Sequence, residues 1–393
     1  MKQSVARMPG MPQILITFGL SISSLAVLLP ASPAWAVAGG AGSFGAGATN
    51  AVLMAVTVAT QFSVPTLTRH FSWAHVLPLG TILLGLPSLI QLLSPALTNI
   101  LLTSALRGVG FGIVTVCCSS AMSYLVPLEY RGRAVGLYGL AAAGSQMFFT
   151  PVAPWAIEVF GHRPVIAVGA IAALAAPFAF QLGRSVDRYL AQDQEGKPTI
   201  SATPKTSTTT IIKRIWPALL TLTLVTSVGG AFMTFSTEIA PTATLATGGL
   251  LLLCLLATPT RLYGGSLTDR FGTRLLMTPV LGFVALGLVL LALMDGASSL
   301  SVLFFLLGAS IMGFGYGFLQ SVTMVRALSD AGGADATQRA SVAWNSHFDI
   351  GTGLGALAIG ALEQSTNFAT AWVVAALILA LCALGMGLRD ARS

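Results

Sequence analysis

Charge is the scarcest commodity in this chain. Of its 393 residues only 8% are Asp, Glu, Lys or Arg, where soluble domains carry about 25%. Thirteen acids and 20 Lys plus Arg cannot cover the surface of a soluble fold of this size. Cysteine is scarce as well. Cys117, Cys118, Cys254 and Cys382 all lie inside apolar runs and none stands at metal-ligand spacing, which argues against a disulfide scaffold or a metal site and leaves them as small packing residues. No Walker lysine follows any glycine-rich run, GFGYG at 313–317 included, and no soluble nucleotide domain is present, so the sequence does not read as an ATP-driven pump.

What is abundant is apolar length. Hydrophobic residues make up 54% of the chain and the mean hydropathy is +0.82. A bilayer core about 30 Å thick needs about 20 apolar residues per helix, whereas barrel strands take about 10. The apolar stretches here are of helix length, so the fold class is an all-α integral membrane protein. Cutting at polar breaks and Gly/Pro clusters predicts about twelve spans, near 12–38, 43–67, 74–94, 98–122, 134–158, 164–184, 213–236, 243–263, 275–294, 299–323, 340–361 and 367–388. The first has a signal-peptide look, with Lys2 and Arg7 ahead of an apolar run and then Ala34-Trp35-Ala36. Its removal would leave eleven spans and break the match between halves, so it is expected to stay as the first helix.

The net charge of +7 comes from the loops and does not signal nucleic acid. With the N-terminus inside, 18 of the 20 Lys and Arg fall on inner segments, Arg163 lies outside and Arg107 lies within span four. This bias predicts both termini in the cytoplasm and an even number of spans.

Residues 185–212 form the one sizeable polar segment, with Asp187, Arg188, Asp193, Glu195 and Lys197 followed by TISATPKTSTTT. Its composition suits a flexible cytoplasmic linker between an N-terminal six-helix half, 1–184, and a C-terminal half, 213–393. The halves look like repeats. Leu67-Thr68-Arg69-His70-Phe71 matches Leu267-Thr268-Asp269-Arg270-Phe271 at an offset of 200, Gly110-Phe111-Gly112 matches Gly313-Phe314-Gly315 at 203, and Arg133-Ala134 matches Arg339-Ala340 at 206.

Gly264 to Arg274, reading GGSLTDRFGTR, sets one acid and two arginines between two long apolar runs, and so must sit outside the hydrophobic layer. Its pattern Gly265-x-x-x-Asp269-Arg270-x-Gly272-x-Arg274 resembles the loop signature of the major facilitator superfamily. Arg131-Gly132-Arg133-Ala134 with Gly136 and Gly139 is similar to the start of that family's span five, and Asp349-Ile350-Gly351-x-Gly353-x-Gly355 to its span eleven. Within the family the chain resembles twelve-helix bacterial efflux permeases. The first-half loop departs from the signature, with Arg69 where it has Asp and Ser72 where it has Gly. In span four, Arg107 stands at the family's usual Gln and Ser104 at its usual Arg, and Gly144, Pro151 and Pro154 do not reproduce the span-five pattern of drug antiporters.

The resemblance implies two pseudo-symmetric six-helix bundles rocking around a midplane site, with the signature loop as a latch closing the cytoplasmic side. Gly265 and Gly272 are expected to permit turns, and Asp269 to sit at a helix N-terminus and pair with Arg270, Arg274 or Arg339. In the first half Arg69 would pair with Glu129 instead; the alternative is that Glu129 pairs with Arg131 or Arg133.

Charges inside a membrane cost about 2.5–3.5 kcal/mol at a helix centre on the insertion scale and so need a reason. Arg107 in span four can contact a polar or anionic substrate or tune a proton relay, or it can bond carbonyls and side chains between helices. Asp349 in span eleven, on one helical face with Asn345 and Ser346, can carry a proton or join helices. His347 faces elsewhere and is read first as a packed or capped histidine. Gln146 and Gln320 can orient a substrate or link helices.

The expected function is alternating-access secondary transport across the inner or plasma membrane by a monomer that binds a small molecule and the lipid bilayer. A proton gradient serves as energy source, with no cofactor, metal or nucleic acid. Proton-coupled efflux of small apolar or amphipathic compounds is the first expectation. Uptake or exchange of an anionic metabolite is the second, and a non-transporting membrane sensor or partner the third.

Overall fold

The computed structural model describes residues 5–194, 207–332 and 334–390, and these are helical with no strand among them. Twelve helical columns follow one another: α1 Met11–Ala38, α2 Ser43–His70, α3 Trp73–Gln91, α4 Leu97–Leu125, α5 Arg131–Phe160 and α6 His162–Gln194, then α7 Thr208–Ile239, α8 Ala243–Phe271, α9 Thr273–Ala292, α10 Ser299–Ala331, α11 Ala334–Ser365 and α12 Phe368–Asp390. Ten are long and apolar enough to cross a membrane. The other two, α5 and α11, are 30 and 32 residues long and carry more charge in their first turns.

Two columns are not plain α-helix. α3 breaks at Leu86, where Pro87 supplies no amide to continue the ladder. α6 tightens into a 3-10 stretch over Gly169–Ala175. That stretch lies against α1, where the Ser24 hydroxyl donates to the Gly169 carbonyl at 2.5 Å. A tightened turn leaves carbonyls free for such a partner.

The chain divides into two compact units, Met1–Gly39 with Val52–Ser201, and Gly40–Ala51 with Ala202–Ser393. The first turns of α2 therefore pack with the second unit: the Asn50 amide donates to the Thr234 hydroxyl of α7 at 2.9 Å, and the Phe44 amide donates to Gln364 of α11 at 3.1 Å. Each unit has its own apolar core. One is built on Ile14, Phe18, Leu77, Val114 and Leu182, the other on Ile215, Leu222, Ala327, Ala340 and Trp344.

The polar segment at 185–212 is not linker throughout. α6 runs on to Gln194 and α7 starts at Thr208, while residues 195–206 lie outside the described residues. The reason is visible at Asp187. Its carboxylate accepts the backbone amides of Trp73 and Ala74, at 3.0 and 3.1 Å. These are orphan donors in the first turn of α3, and an anion there is favoured by the helix dipole as well. A charged residue that composition assigns to a loop is thus the N-terminal cap of a neighbouring helix.

The packing also corrects the register of the repeat. In α4, Gly108 and Gly112 lie against α2, at Leu53 and Thr57, while Gly110 lies against α3 at Gly80 and Leu84. In α10, Gly313 and Gly317 lie against α8, at Leu253 and Ala257, while Gly315 lies against α9 at Val284. Matching partners to partners pairs Gly108-x-Gly110-x-Gly112 with Gly313-x-Gly315-x-Gly317, two residues away from the pairing that sequence similarity suggests. The offset becomes 205, close to the 206 of the Arg-Ala match. Phe111 then corresponds to Tyr316, and Arg107 to Met312.

Candidate functional site

The signature segment is mostly helix. α8 continues through Gly264, Gly265 and Asp269 to Phe271, and the chain turns at Gly272, whose φ of 77° suits a glycine, before α9 begins at Thr273. Two expectations are corrected here. Gly265 makes no turn and has open space around it; it is Gly264 that packs, against Ser321 and Phe318 of α10. Asp269 occupies the last turn of α8, not a helix N-terminus, because the helix outlasts its apolar run by two turns. The contacts of the Asp269 side chain lie outside the described residues. Arg270 and Arg274 are exposed or nearly so, and Arg339 lies in the first turns of α11. In the first half, Arg69 ends α2 and Glu129 lies in a short 3-10 turn over Leu128–Tyr130. Both are exposed, and among the described residues they form no ion pair with each other. Arg131 bonds carbonyls instead, donating to Val126 at 3.2 Å and to Ser123 at 2.5 Å.

Within the second unit, polar side chains of three helices lie within electrostatic range of Tyr316. The Tyr316 hydroxyl of α10 is in electrostatic reach of Arg261 on α8 and of Asp349 on α11, and it accepts a hydrogen bond from Gln320, one turn along α10. Tyr316, Gln320 and Asp349 are 5%, 2% and 6% exposed, so the cluster is largely withdrawn from solvent. Arg261 itself is exposed. Gln320 Oε1 is buried without a protein partner.

Small residues bring these groups together. Gly317 lets α10 lie on Ala257 and Thr260 of α8, and the Ser321 hydroxyl donates to the Arg261 carbonyl, so the two helices are tied at the level of the cluster. Gly229 of α7 leaves room for the Tyr316 ring, and Gly351 and Gly355 of α11 lie on Thr223, Thr226 and Ser227 of α7. On the other side the Tyr316 ring meets Phe348 at a centroid distance of 6.4 Å. Trp344, 6.0 Å from Phe348, donates its indole N–H to Thr323 of α10 at 3.1 Å. The tyrosine is held by ring packing, with the arginine and the acid in electrostatic range of its hydroxyl.

Of the residues singled out from sequence, Asp349 and Gln320 thus belong to one site. Ser346 shares the buried face of Asp349, whereas Asn345 is exposed and donates to the Ser341 carbonyl at 2.8 Å. The His347 Nδ1 donates to the Ala343 carbonyl at 2.8 Å, on its own helix. Gln146, on α5 of the first unit, is half-buried. Arg107 lies in the first unit at 1% exposure, with Nε and Nη2 buried and without a protein partner. Arg261 and Tyr316 escape a reading of the sequence. Arg261 counts among the inner-segment arginines because its apolar run ends two residues later, at Tyr263, yet α8 continues ten residues beyond Arg261, to Phe271. An arginine followed by two more helical turns is the available signal.

Among the described residues no group of three or more His, Cys, Asp or Glu is placed to hold a metal. No curated protein sequence matches the chain. Solved structures do, over almost the whole length. The nucleoside transporter NupG matches with a TM-score of 0.74 at 12% identity, covering 96% of this chain and 98% of that one. A bacterial homolog of the human lysosomal transporter Spinster, inward-facing and occupied, matches with 0.71 at 13%, covering 97% and 96%. A POT family peptide transporter, auto-inhibited, matches with 0.70 at 13%, covering 98% and 97%. At such identities the likeness establishes the fold. The family model of the Major Facilitator Superfamily matches residues 14–337. With most of its length matched by that model and its twelve helices in the same fold, this chain belongs to the major facilitator superfamily of transporters.

Proposed function

We propose that the chain is a proton-coupled secondary transporter in which Asp349 is the proton carrier. The observation that carries this reading is the position of Asp349, buried within electrostatic range of Tyr316, which is in range of Arg261 as well. A buried carboxylate is held in its charged form by such neighbours, and a buried carboxylic acid by their withdrawal. Protonation of Asp349 removes one charge from the surroundings of Tyr316. The two protonation states therefore favour different packings of α8, α10 and α11, which is what a driven conformational change requires.

We assign the direction as export of small apolar or amphipathic compounds, following the resemblance of the chain to twelve-helix efflux permeases. The distribution of Lys and Arg supports an inner or plasma membrane location with both termini cytoplasmic. Gly264 to Arg274, with Arg339, serves as the latch on that side; Arg69 and Glu129 serve the first half in another conformational state. A second reading, uptake or exchange of an anionic metabolite, is favoured by the unpaired Arg107.

Everted vesicles test the coupling. In energised vesicles loaded with a pH-sensitive dye, a transported compound should release lumenal protons through the wild type and not through Asp349→Asn. An equal response from the variant overturns the assignment.

A further inference from the structure

Arg107 poses a problem that the proton site does not solve. Its guanidinium is almost fully buried in the first unit, and Nε and Nη2 find no partner. One turn earlier on the same face of α4, the Ser104 hydroxyl is 1% exposed and equally unpartnered. A buried charge without a counter-charge costs several kcal/mol, so a partner is required.

Among its described residues the first unit has no carboxylate to offer. The first acid in the chain is Glu129, so α1 to α4 contain none. The later ones whose side chains are described are committed elsewhere or lie at helix ends: Glu129 is exposed before α5, Glu158 lies in the last turn of that helix, and Asp187 caps α3. Arg107 stands ten residues into the 29-residue α4, about 15 Å from its start at 1.5 Å per residue. None of the three reaches it as a partner. The second unit, by contrast, sets Arg261 and Asp349 around one tyrosine.

We propose that Arg107 and Ser104 form an anion seat, and that the ligand carried by this transporter bears a carboxylate or phosphate group that docks there. A planar guanidinium and a hydroxyl one turn away present convergent donors to an oxyanion. An anionic head on an apolar body is also the amphipathic class assigned above. The proposal deepens the transporter reading but does not depend on Asp349. A small inorganic anion such as chloride shares the chemistry and is separated by the test.

The test is thermal unfolding of the purified full chain in detergent, titrated with sodium chloride, acetate and inorganic phosphate, with Arg107→Met as the control for general salt effects. Ligand binding to the folded state raises the unfolding temperature in a saturable way. The wild type should be stabilised by acetate or phosphate. Arg107→Met should lose the effect, Arg107→Lys should keep it with at least about tenfold weaker affinity, and Ser104→Ala should weaken it severalfold. The same probes, radiolabelled, should exchange across proteoliposomes made with the wild type. Stabilisation by chloride alone, lost in Arg107→Met, supports the anion seat and overturns the substrate assignment. No saturable anion effect, or an undiminished effect in Arg107→Met, overturns both. Because Asp349→Asn should keep the anion-dependent stabilisation, failure of the proton reading is distinguishable from failure of this one.

Discussion

Gly317 of α10 lies so close to the Ala257 carbonyl of α8 that a β-carbon on the glycine would overlap that oxygen. This contact sets the distance between the helix that carries Arg261 and the helix that carries Tyr316. Gly317→Val should therefore push the helices apart, at a cost of about 1–3 kcal/mol for overpacking, and should reduce transport more than it reduces the amount of folded protein. Thermal unfolding of the purified variant beside vesicle transport checks both. Unchanged transport would mean that the α8–α10 spacing does not govern the site.

Tyr316 separates ring packing from hydroxyl chemistry. Tyr316→Phe keeps the contacts with Phe348 and with the space above Gly229 and loses the hydroxyl that faces Arg261, Gln320 and Asp349. A net hydrogen bond is worth about 0.5–1.5 kcal/mol, so the transport rate should fall up to about tenfold with little change in thermal stability. A large loss of stability with normal transport per folded molecule would assign the hydroxyl a structural role only.

Asp187 makes the opposite prediction. Its carboxylate satisfies two amides of α3 and lies outside the proposed site. Asp187→Ala should cost about 0.5–2 kcal/mol of stability, the range for loss of a helix cap, while the pH dependence of transport stays as in the wild type. A shifted pH profile would show that this end of α6 takes part in coupling.

Orientation can be read chemically. In a variant with all four native cysteines replaced, a cysteine introduced at Ala297, exposed between α9 and α10, should react with a membrane-impermeant maleimide in intact cells. One introduced at Ser266, exposed near the end of α8, should react only after permeabilisation. The reverse pattern would invert the topology that the Lys and Arg distribution predicts.

The helical columns are legible in the sequence because hydropathy reports which residues sit in the apolar layer. It does not report where a helix ends. α8 outlasts its apolar run from Tyr263 to Phe271, and for that reason Asp269 reads as a loop residue and Arg261 as the edge of a span. α6 likewise runs on beyond its apolar part, and its polar extension, including Asp187, reads as linker until the amides of α3 are in view. Arg107 and Asp349 stand out since a lone charge in an apolar run is conspicuous. The partners of Asp349 do not, because Tyr316 and Gln320 are ordinary in sequence and acquire meaning only when α10 and α11 lie side by side. The repeat is visible, but its register in α4 and α10 depends on which neighbour each glycine touches.

Whether Asp349 carries the proton is measured most directly by accumulation in proteoliposomes under an imposed pH gradient, screened across compound classes and compared between wild type and Asp349→Asn. The wild type should drive at least one compound against its gradient, and the variant should exchange that compound across the membrane without accumulating it. Accumulation by Asp349→Asn at the wild-type level would contradict the assignment.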